Sequence, residues 1–309
     1  MYKNLVFGST ALFVFISGYL FHSIFYEKFN YFNFLTNKTK NVLVPYVLLS
    51  ILPILYILIK GQPVEYFHPS QSILGGFRLT LEYLLTGRSL VAYWYIPFAM
   101  LIFLTSPLHI KFIKSNMCVQ IFIISLFLLL AFFVHRPPGN LNVFQSYIYY
   151  TPLYLLGIVF SLYKSDLDVF FEDKIWIFLL LLSVILFGAF QYFYGEIGSY
   201  RRFMFDGYHG VDFQLLQKIS MCIFIFYMLK AIELPKIFDV LAKYSFAIFF
   251  LHPYFLYLIG IVDSKFNYSQ TLSIPIYLFS VLLCLSFCIL VSKIIKSIFK
   301  KNSRYLIGY

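Results

Sequence analysis

The sequence predicts an all-α fold, a polytopic membrane helix bundle of about nine transmembrane helices. Hydrophobic residues make up 61% of the chain and charged residues 12%, about half the charged share of a soluble domain. The apolar residues fall into nine stretches, most of them near the roughly 20 residues that a helix needs to cross a bilayer. Runs such as Ile121 to Phe133 do not alternate apolar and polar residues, so helices rather than strands are predicted.

Polar or charged segments separate the stretches and set their bounds. Leu90 to Thr105 and Leu215 to Leu229 are the shortest and need flanking residues to cross the bilayer. The longest polar interruptions are Gly61 to Ser89 and Gly195 to Gln214, and neither resembles a separate soluble domain, so residues 1–309 are predicted to form one membrane domain. The nine predicted spans are Leu5 to Phe25, Val42 to Ile59, Leu90 to Thr105, Met117 to Val134, Tyr147 to Tyr163, Ile175 to Tyr194, Leu215 to Leu229, Leu241 to Val262 and Leu272 to Ile298.

The net charge of +11 would favour a nucleic-acid partner in a soluble protein. In a membrane protein, Lys and Arg instead mark the cytoplasmic loops, so no nucleic acid is expected here. Alternate loops and the C-terminus hold 15 Lys and Arg residues against 8 on the opposite side, and the richer side includes Lys38 and Lys40. The C-terminus is therefore predicted to be cytoplasmic.

Nine spans would then leave the N-terminus outside the cell. A chain that enters the membrane from the outside after only Met1 to Asn4 is unusual. This arrangement predicts one further helix upstream of the Leu5 to Phe25 span, which would start in the cytoplasm.

The four cysteines lie inside apolar stretches and none shows the spacing of a zinc site. They are predicted to be small core residues. The acidic group Asp166 to Asp173 lacks the spacing of a calcium loop and is predicted to be a solvated surface. No metal site is predicted.

Five local patterns follow one another along nearly the whole chain. They are Phe13-Val-Phe-Ile-Ser-Gly-Tyr-Leu20, the basic segment Phe34 to Tyr46, Leu84-Leu-Thr-Gly87 with Tyr93-Trp-Tyr-Ile-Pro97, Tyr154-Leu-Leu-Gly-Ile158, and Leu241 to Pro253 with its Leu251-His-Pro253 ending. In this order they resemble the acyltransferase type 3 family of integral membrane acyltransferases, especially the branch that contains the intercellular-adhesin biosynthesis protein C. The first pattern resembles the family's second helix, so the resemblance also implies that the first helix is absent.

The resemblance implies transfer of an acyl group, acetyl or succinyl, from acyl-coenzyme A to a hydroxyl of a cell-surface or lipid-linked polysaccharide in the bacterial inner membrane. It implies that Lys38 and Lys40 contact the coenzyme A phosphates, for which lysines serve as mobile point charges. Anchoring of the topology is the alternative role for both lysines. Two positions depart from the family pattern: Asn41 replaces a second arginine, and Ala92 a frequent histidine.

Two histidines in predicted spans are candidates for the catalytic base, because a neutral imidazole accepts a proton near pH 7. His252 lies midway along its span, where a polar side chain usually faces a cavity or a partner. A structural hydrogen bond between helices is the alternative. His22 lies near the end of the first span and faces either the acyl donor or the membrane interface. The sequence does not decide between the two.

Three further residues are candidates for glycan binding. Trp94, near the outer end of its span, is predicted to stack on a sugar ring, with membership of an aromatic belt as the alternative. Arg201 and Arg202 belong to an outer segment rich in hydrogen-bonding groups, which suits glycan hydroxyls. A solvated connector is the alternative for this segment.

A second class of function remains open from the sequence alone. Aromatic-rich spans also suit a polysaccharide translocator or a non-catalytic partner in polysaccharide export and assembly. Membrane lipid and a polysaccharide are the expected partners in either case, and only the enzyme requires acyl-coenzyme A.

Overall fold

The computed structural model describes residues 4–5, 8–60, 73–195, 200–204, 206–207, 210–266 and 274–308. Within these ranges the chain is helical, and its extended pairing is a single isolated bridge between Arg136 and Arg201. The helices are α1 (Thr10–Phe25), α2 (Tyr31–Lys60), α3 (Ile73–Thr86), α4 (Tyr95–Leu104), α5 (Ser106–Lys114), α6 (Met117–Val134), α7 (Val143–Leu162), α8 (Lys164–Phe170), α9 (Lys174–Phe193), α10 (Phe213–Lys230), α11 (Ile237–Phe266), α12 (Ile274–Phe299) and α13 (Ser303–Ile307).

Seven helices of the described chain are long and apolar enough to cross a membrane, and an eighth span forms if α4 and α5 are counted together across Thr105. The seven are α2, α6, α7, α9, α10, α11 and α12, the last taken together with α13. α1 is apolar but shorter. The all-α membrane class is therefore confirmed, and the predicted count of nine spans is approximate.

Several helices have different bounds from those predicted, and two of these differences have a local cause. α2 is continuous from Tyr31 to Lys60, so Lys38 lies within a helix rather than in a loop. No glycine or proline interrupts residues 31–44, so the segment contains no helix stop signal. α4 begins later than predicted because the chain turns tightly at Gly87, whose φ is +69° and whose missing side chain leaves room for the backbone of Trp94.

Short polar side chains start four of the spans. Asn116, Asn142 and Asp212 precede α6, α7 and α10, and each accepts a hydrogen bond from a backbone N–H three residues further on, at 2.9 to 3.0 Å. Asp173 precedes α9 and accepts from the N–H of Ile175 at 3.0 Å. Such caps satisfy donors that have no partner inside the helix and that lipid cannot satisfy. These helices therefore begin where a capping residue precedes an apolar run.

Contacts divide the chain into two compact units, which we call unit 1 and unit 2. Unit 1 comprises Met1–Tyr31 and Leu104–Leu234, and unit 2 comprises Phe32–Phe103 and Pro235–Tyr309. Unit 1 is centred on α1 and α7, with α6, α9 and α10 around them. Unit 2 is built on α2, α11, α12 and α13, with α3 packed on α2.

The backbones of α1 and α7 touch at two glycines of unit 1. A Cβ atom on Gly18 would lie 1.9 Å from the carbonyl oxygen of Tyr154, and a Cβ atom on Gly157 would lie 2.0 Å from that of Phe15. Only glycine permits such an approach, and close packing of small residues is the usual way in which membrane helices associate. The core of unit 1 therefore depends on these two positions.

Buried tyrosines organise the core of unit 2. The hydroxyl of Tyr93 donates to the carbonyl of Phe250 at 2.9 Å, and that of Tyr46 donates to the carbonyl of Leu84 at 2.7 Å. The rings of Tyr46 and Tyr93 meet edge to face with their centroids 5.7 Å apart. Each hydroxyl therefore ties its own segment to the backbone of another while the ring fills the apolar core.

Gly157→Ala should destabilise the protein, because the new methyl group overlaps the backbone of α1 and can be accommodated only if the two helices separate. We expect the free energy of unfolding to fall by about 3 kcal/mol, measured as a lower midpoint of thermal unfolding in detergent. Gly260→Ala is the matched control, since a Cβ there meets nothing within 4 Å. Equal midpoints for the two variants would contradict the close packing of α1 on α7.

Candidate functional site

The Lys38 turn of unit 2 consists of Lys38 and the π-helical turn Thr39–Leu43 that follows it in α2. The ammonium nitrogen of Lys38 lies 4.9 Å from the ring centroid of Phe103 and 5.3 Å from that of Phe34. These contacts hold the cation beside the aromatic rings. Lys40 is exposed, whereas the side chain of Asn41 donates to the carbonyl of Asn37 at 2.7 Å.

His252 lies deep in α11, about 22 Å along the helix from its first residue. Its Nδ1 is 2.9 Å from the carbonyl oxygen of Ile248. Pro253 follows His252 and has no N–H to donate to the carbonyl four residues earlier. A carbonyl can only accept, so Nδ1 carries the proton and the neutral ring keeps its lone pair on Nε2.

A cavity of about 560 Å³ borders the residues that follow His252. Pro253 and Tyr257 of α11 form one side, and Arg88 and Ser89 of the segment before α4 form another. The remaining lining is apolar. A guanidinium and a hydroxyl beside an apolar wall suit an amphipathic ligand, with its polar part at Arg88.

Trp94 also belongs to unit 2, where the structure buries it. Only 6% of the residue is exposed, and its ring packs against those of Tyr95 and Phe98. The glycine turn at Gly87 lies against its backbone. A sugar therefore has little access to this ring in the described conformation, and the predicted stacking role stays a prediction.

In unit 1, Arg201 and Arg202 are tied to the end of α6. Arg201 forms the extended bridge with Arg136, and the N–H of Arg202 donates to the carbonyl of Arg136 at 3.0 Å. The side-chain amide of Gln145 donates to the carbonyls of Val134 and Arg202 at 2.7 and 2.8 Å. The two arginines are thus fixed by the fold rather than carried on a solvated connector. Their predicted contact with glycan is not tested by this geometry, and Glu196 and His209 of the same segment lie outside the described residues.

Sequence analysis missed a buried polar cluster in unit 1. The carboxylate of Asp212 is fully buried and accepts a hydrogen bond from the hydroxyl of Tyr149 at 2.8 Å. The ammonium of Lys218 is also buried and donates to the carbonyls of Asn4 and Leu5 at 3.1 and 2.7 Å. Tyr149 and Lys218 also line a cavity of about 10 Å³, room for roughly one water molecule or hydroxyl group.

One signal in the sequence could have revealed this cluster. Gln214, Gln217 and Lys218 stand at positions i, i+3 and i+4 of an otherwise apolar stretch, which places them on one face of a helix. Polar residues within a span usually face the protein interior. Arg136 and Tyr150 also line the cavity, but Arg136 lies in a polar connecting segment and Tyr150 among other tyrosines, so neither position points to a buried cluster.

His22, the second candidate base, lies at the end of α1. Its Nδ1 is 2.9 Å from the hydroxyl oxygen of Ser161 in α7, and its ring stacks on Tyr26 with centroids 5.3 Å apart. Either partner of the Ser161 contact can donate, so the tautomer of His22 is not set in the way that a carbonyl sets that of His252. The described residues contain no group of three or more His, Cys, Asp or Glu side chains that could hold a metal ion.

The stability of the protein should depend on pH through Asp212. Burial raises the pKa of this carboxyl from 3.8 to about 6, against the opposing hydrogen bonds from the Leu215 N–H and Tyr149. The folded state therefore holds the proton more tightly than the unfolded state, so this group's contribution is greatest below about pH 4 and is lost as the pH rises to about 6. The loss is on the order of 3 kcal/mol.

Asp212→Asn should remove this part of the pH dependence. Thermal unfolding in detergent between pH 4 and 7 measures it, as the difference between the wild-type and variant curves. Asp166→Asn is the control, because Asp166 is exposed and should leave the wild-type profile unchanged. Parallel curves for the wild type and Asp212→Asn would contradict the buried carboxyl.

Comparison with known proteins agrees with this architecture. A family model of an acyltransferase domain, acyltransferase 3, matches residues 2–293. The match runs through both units, includes Lys38 and His252, and ends before α13. No curated protein and no solved structure matches the chain significantly. A family match over nearly the whole of a multi-pass helical chain shows that this protein belongs to the acyltransferase 3 family of membrane proteins.

Proposed function

We propose that the protein is an O-acyltransferase of the bacterial inner membrane, which moves an acetyl or succinyl group from acyl-coenzyme A to a hydroxyl of a cell-surface or lipid-linked polysaccharide. Family membership supplies the acyltransferase class. The observation that supports a catalytic base at His252 is the contact of its Nδ1 with the Ile248 carbonyl. Because that carbonyl can only accept, the neutral ring keeps its lone pair on Nε2. A membrane-embedded base of this kind suits removal of a hydroxyl proton.

His252 acts in this proposal as the general base. As the acceptor hydroxyl oxygen attacks the thioester carbonyl carbon, its proton passes to Nε2 of His252. The carbon–sulfur bond then breaks, and the same proton passes from the imidazolium to the departing thiolate, which leaves as coenzyme A. The products are an O-acyl ester and a free thiol, and the imidazole returns to its neutral form. The Ile248 carbonyl stabilises the charged ring during this cycle, since both ring nitrogens of an imidazolium donate.

The Lys38 turn is the proposed contact for the donor's phosphates. Lys40 is exposed and Lys38 is held beside Phe34 and Phe103, so two cations reach the same end of α2. The phosphates stay in water while the uncharged pantetheine arm enters the membrane. The cavity beside Pro253 in unit 2 offers a place for the lipid or glycan portion of the acceptor. Contact of the acceptor with Trp94 of unit 2, or with Arg201 and Arg202 of unit 1, stays a prediction for each unit by itself.

We place the C-terminus and the Lys38 turn in the cytoplasm, where acyl-coenzyme A is found. The charge bias of the loops supports this orientation. The packing of α13 against the Thr39–Leu43 turn also supports it, because two segments in contact share one side of the membrane. A reporter fused after residue 309 that is active only outside the cytoplasm would overturn the orientation.

His252→Gln should lower acyl transfer by about 10²- to 10⁴-fold, the usual contribution of a general base. The assay supplies radiolabelled acetyl- or succinyl-coenzyme A to inverted membrane vesicles of bacteria that express the protein, and counts the label in extracted polysaccharide. Binding of coenzyme A and the midpoint of thermal unfolding should stay near wild-type values, since glutamine keeps a side-chain donor for the Ile248 carbonyl.

His22→Gln is the matched control for this experiment and should retain most activity. The reverse result, with His22→Gln inactive and His252→Gln active, would move the base to the Ser161 contact. A wild-type protein that exports polysaccharide without labelling it would favour the translocator or assembly partner instead.

A further inference from the structure

We propose that Arg304, carried by the C-terminal helix α13, completes the phosphate-binding site at the Lys38 turn. The site takes the phosphate groups of coenzyme A, so this inference rests on the proposed function. α13 lies beyond the matched acyltransferase domain, which ends at residue 293. The added cation is therefore supplied by a segment outside that domain.

A break at Lys300 separates α12 from α13, which packs on α2, α11 and the Thr39–Leu43 turn. Lys300 adopts a φ of +50°, a left-handed conformation that costs free energy for any residue except glycine. A short 3-10 turn, Lys300–Asn302, follows it, and the Ser303 hydroxyl donates to the Lys300 carbonyl at 2.7 Å. Such a turn persists only where the surrounding packing holds it.

Apolar contacts supply that packing. Ile307 is 1% exposed and belongs to a core cluster with Ala247, Leu251 and Cys288 of α11 and α12. Gly308, with a φ of +74°, lies so close to the ring of Phe246 that a Cβ there would be 2.3 Å from it. The position of α13 is thus fixed on its buried side, and the opposite side is free to carry a functional group.

Arg304 lies on the exposed side, and α13 packs against both α2 and the Thr39–Leu43 turn. Arg304 is close enough to Lys38 for the two positive charges to repel each other. Repulsion alone would move Arg304 away from Lys38. The buried contacts of α13 oppose this movement and keep the two positive charges close. An anionic ligand between them turns this repulsion into attraction.

Charge balance in unit 2 also favours an anion at this place. Among the described side chains of unit 2, the carboxylates are Glu82, which pairs with Arg78 at 2.9 Å, and Asp239. Exposed Lys40, Lys300 and Lys301 surround the Lys38 and Arg304 pair in sequence. A guanidinium adds what lysines lack, a planar fork that binds two oxygens of one phosphate.

The test compares coenzyme A with pantetheine, which lacks every phosphate. Full-length protein in nanodiscs of neutral phosphatidylcholine is titrated with each compound. Arg304→Gln should weaken coenzyme A binding about tenfold, the effect of losing one charge-assisted hydrogen bond, and leave pantetheine binding unchanged. Arg304→Lys should recover part of the loss. The midpoint of thermal unfolding should not fall in Arg304→Gln, because the variant relieves the repulsion from Lys38.

Arg78→Gln is the control, because Arg78 is an exposed arginine of the same unit that pairs within its own helix. The coenzyme A affinity of this variant should equal that of the wild type.

If Arg304→Gln binds coenzyme A as tightly as the wild type while Lys38→Gln binds weakly, the role of Arg304 is wrong and the proposed function stands. If the wild type itself binds no coenzyme A, both fail. If Arg304→Gln changes only the binding of phosphatidylglycerol mixed into the nanodiscs, and not that of coenzyme A, the site takes a lipid headgroup and the inference is overturned.

Discussion

The constraint on which the rest of the structure depends is that every backbone carbonyl inside the membrane must find a donor within the protein. Lipid offers none, and an unsatisfied carbonyl costs several kcal/mol. A proline inside a helix leaves one more carbonyl without a donor, because it lacks the N–H that would have donated to the carbonyl four residues earlier. Pro53 frees the carbonyl of Leu49 in this way, and the hydroxyl of Tyr254 donates to it. Pro253 frees that of Phe249 in the same way, and the next residue back, His252, bonds the carbonyl of Ile248.

The need to satisfy backbone carbonyls gives the many tyrosines a physical role, which their number in the sequence does not reveal. A buried tyrosine fills apolar space with its ring and reaches a distant carbonyl with its hydroxyl. Tyr46, Tyr93 and Tyr254 all do this within unit 2, and each bond joins separate segments. In unit 1 the same task falls to longer polar side chains, the amide of Gln145 and the ammonium of Lys218. Polar groups within the spans are therefore partly accounted for by packing before any chemistry is assigned.

Local patterns in the sequence predict the parts of the fold that local forces determine. Apolar length predicts most spans, and a polar residue such as Asn116 or Asn142 marks where a helix starts. α2 begins as early as Tyr31 because neither glycine nor proline interrupts the segment before the predicted start. α4 begins as late as Tyr95 because the chain turns tightly at Gly87. Both depend on what the neighbouring segment does rather than on hydropathy.

The candidate site divides in the same way. Lys38 and His252 are visible in the sequence because a basic segment and a histidine inside an apolar run are both unusual. The tautomer of His252 is not visible, since it depends on a carbonyl one turn earlier in the same helix. Asp212 and Tyr149 meet across 63 positions of the chain, and no local pattern joins them. Arg304 likewise stands out in no sequence pattern, and only the packing of α13 on α2 brings it near Lys38.

The balance of forces at α13 shows how a fold can hold a site ready for a charged ligand. Burying Ile307 contributes roughly 2 kcal/mol, which opposes the repulsion between Arg304 and the largely buried Lys38. The left-handed residue at Lys300 adds strain to the same segment. A segment under these opposing forces gains stability from any anion that neutralises Arg304 and Lys38 together. Occupation of this site and order in the C-terminal segment are consequently linked, because each stabilises the other.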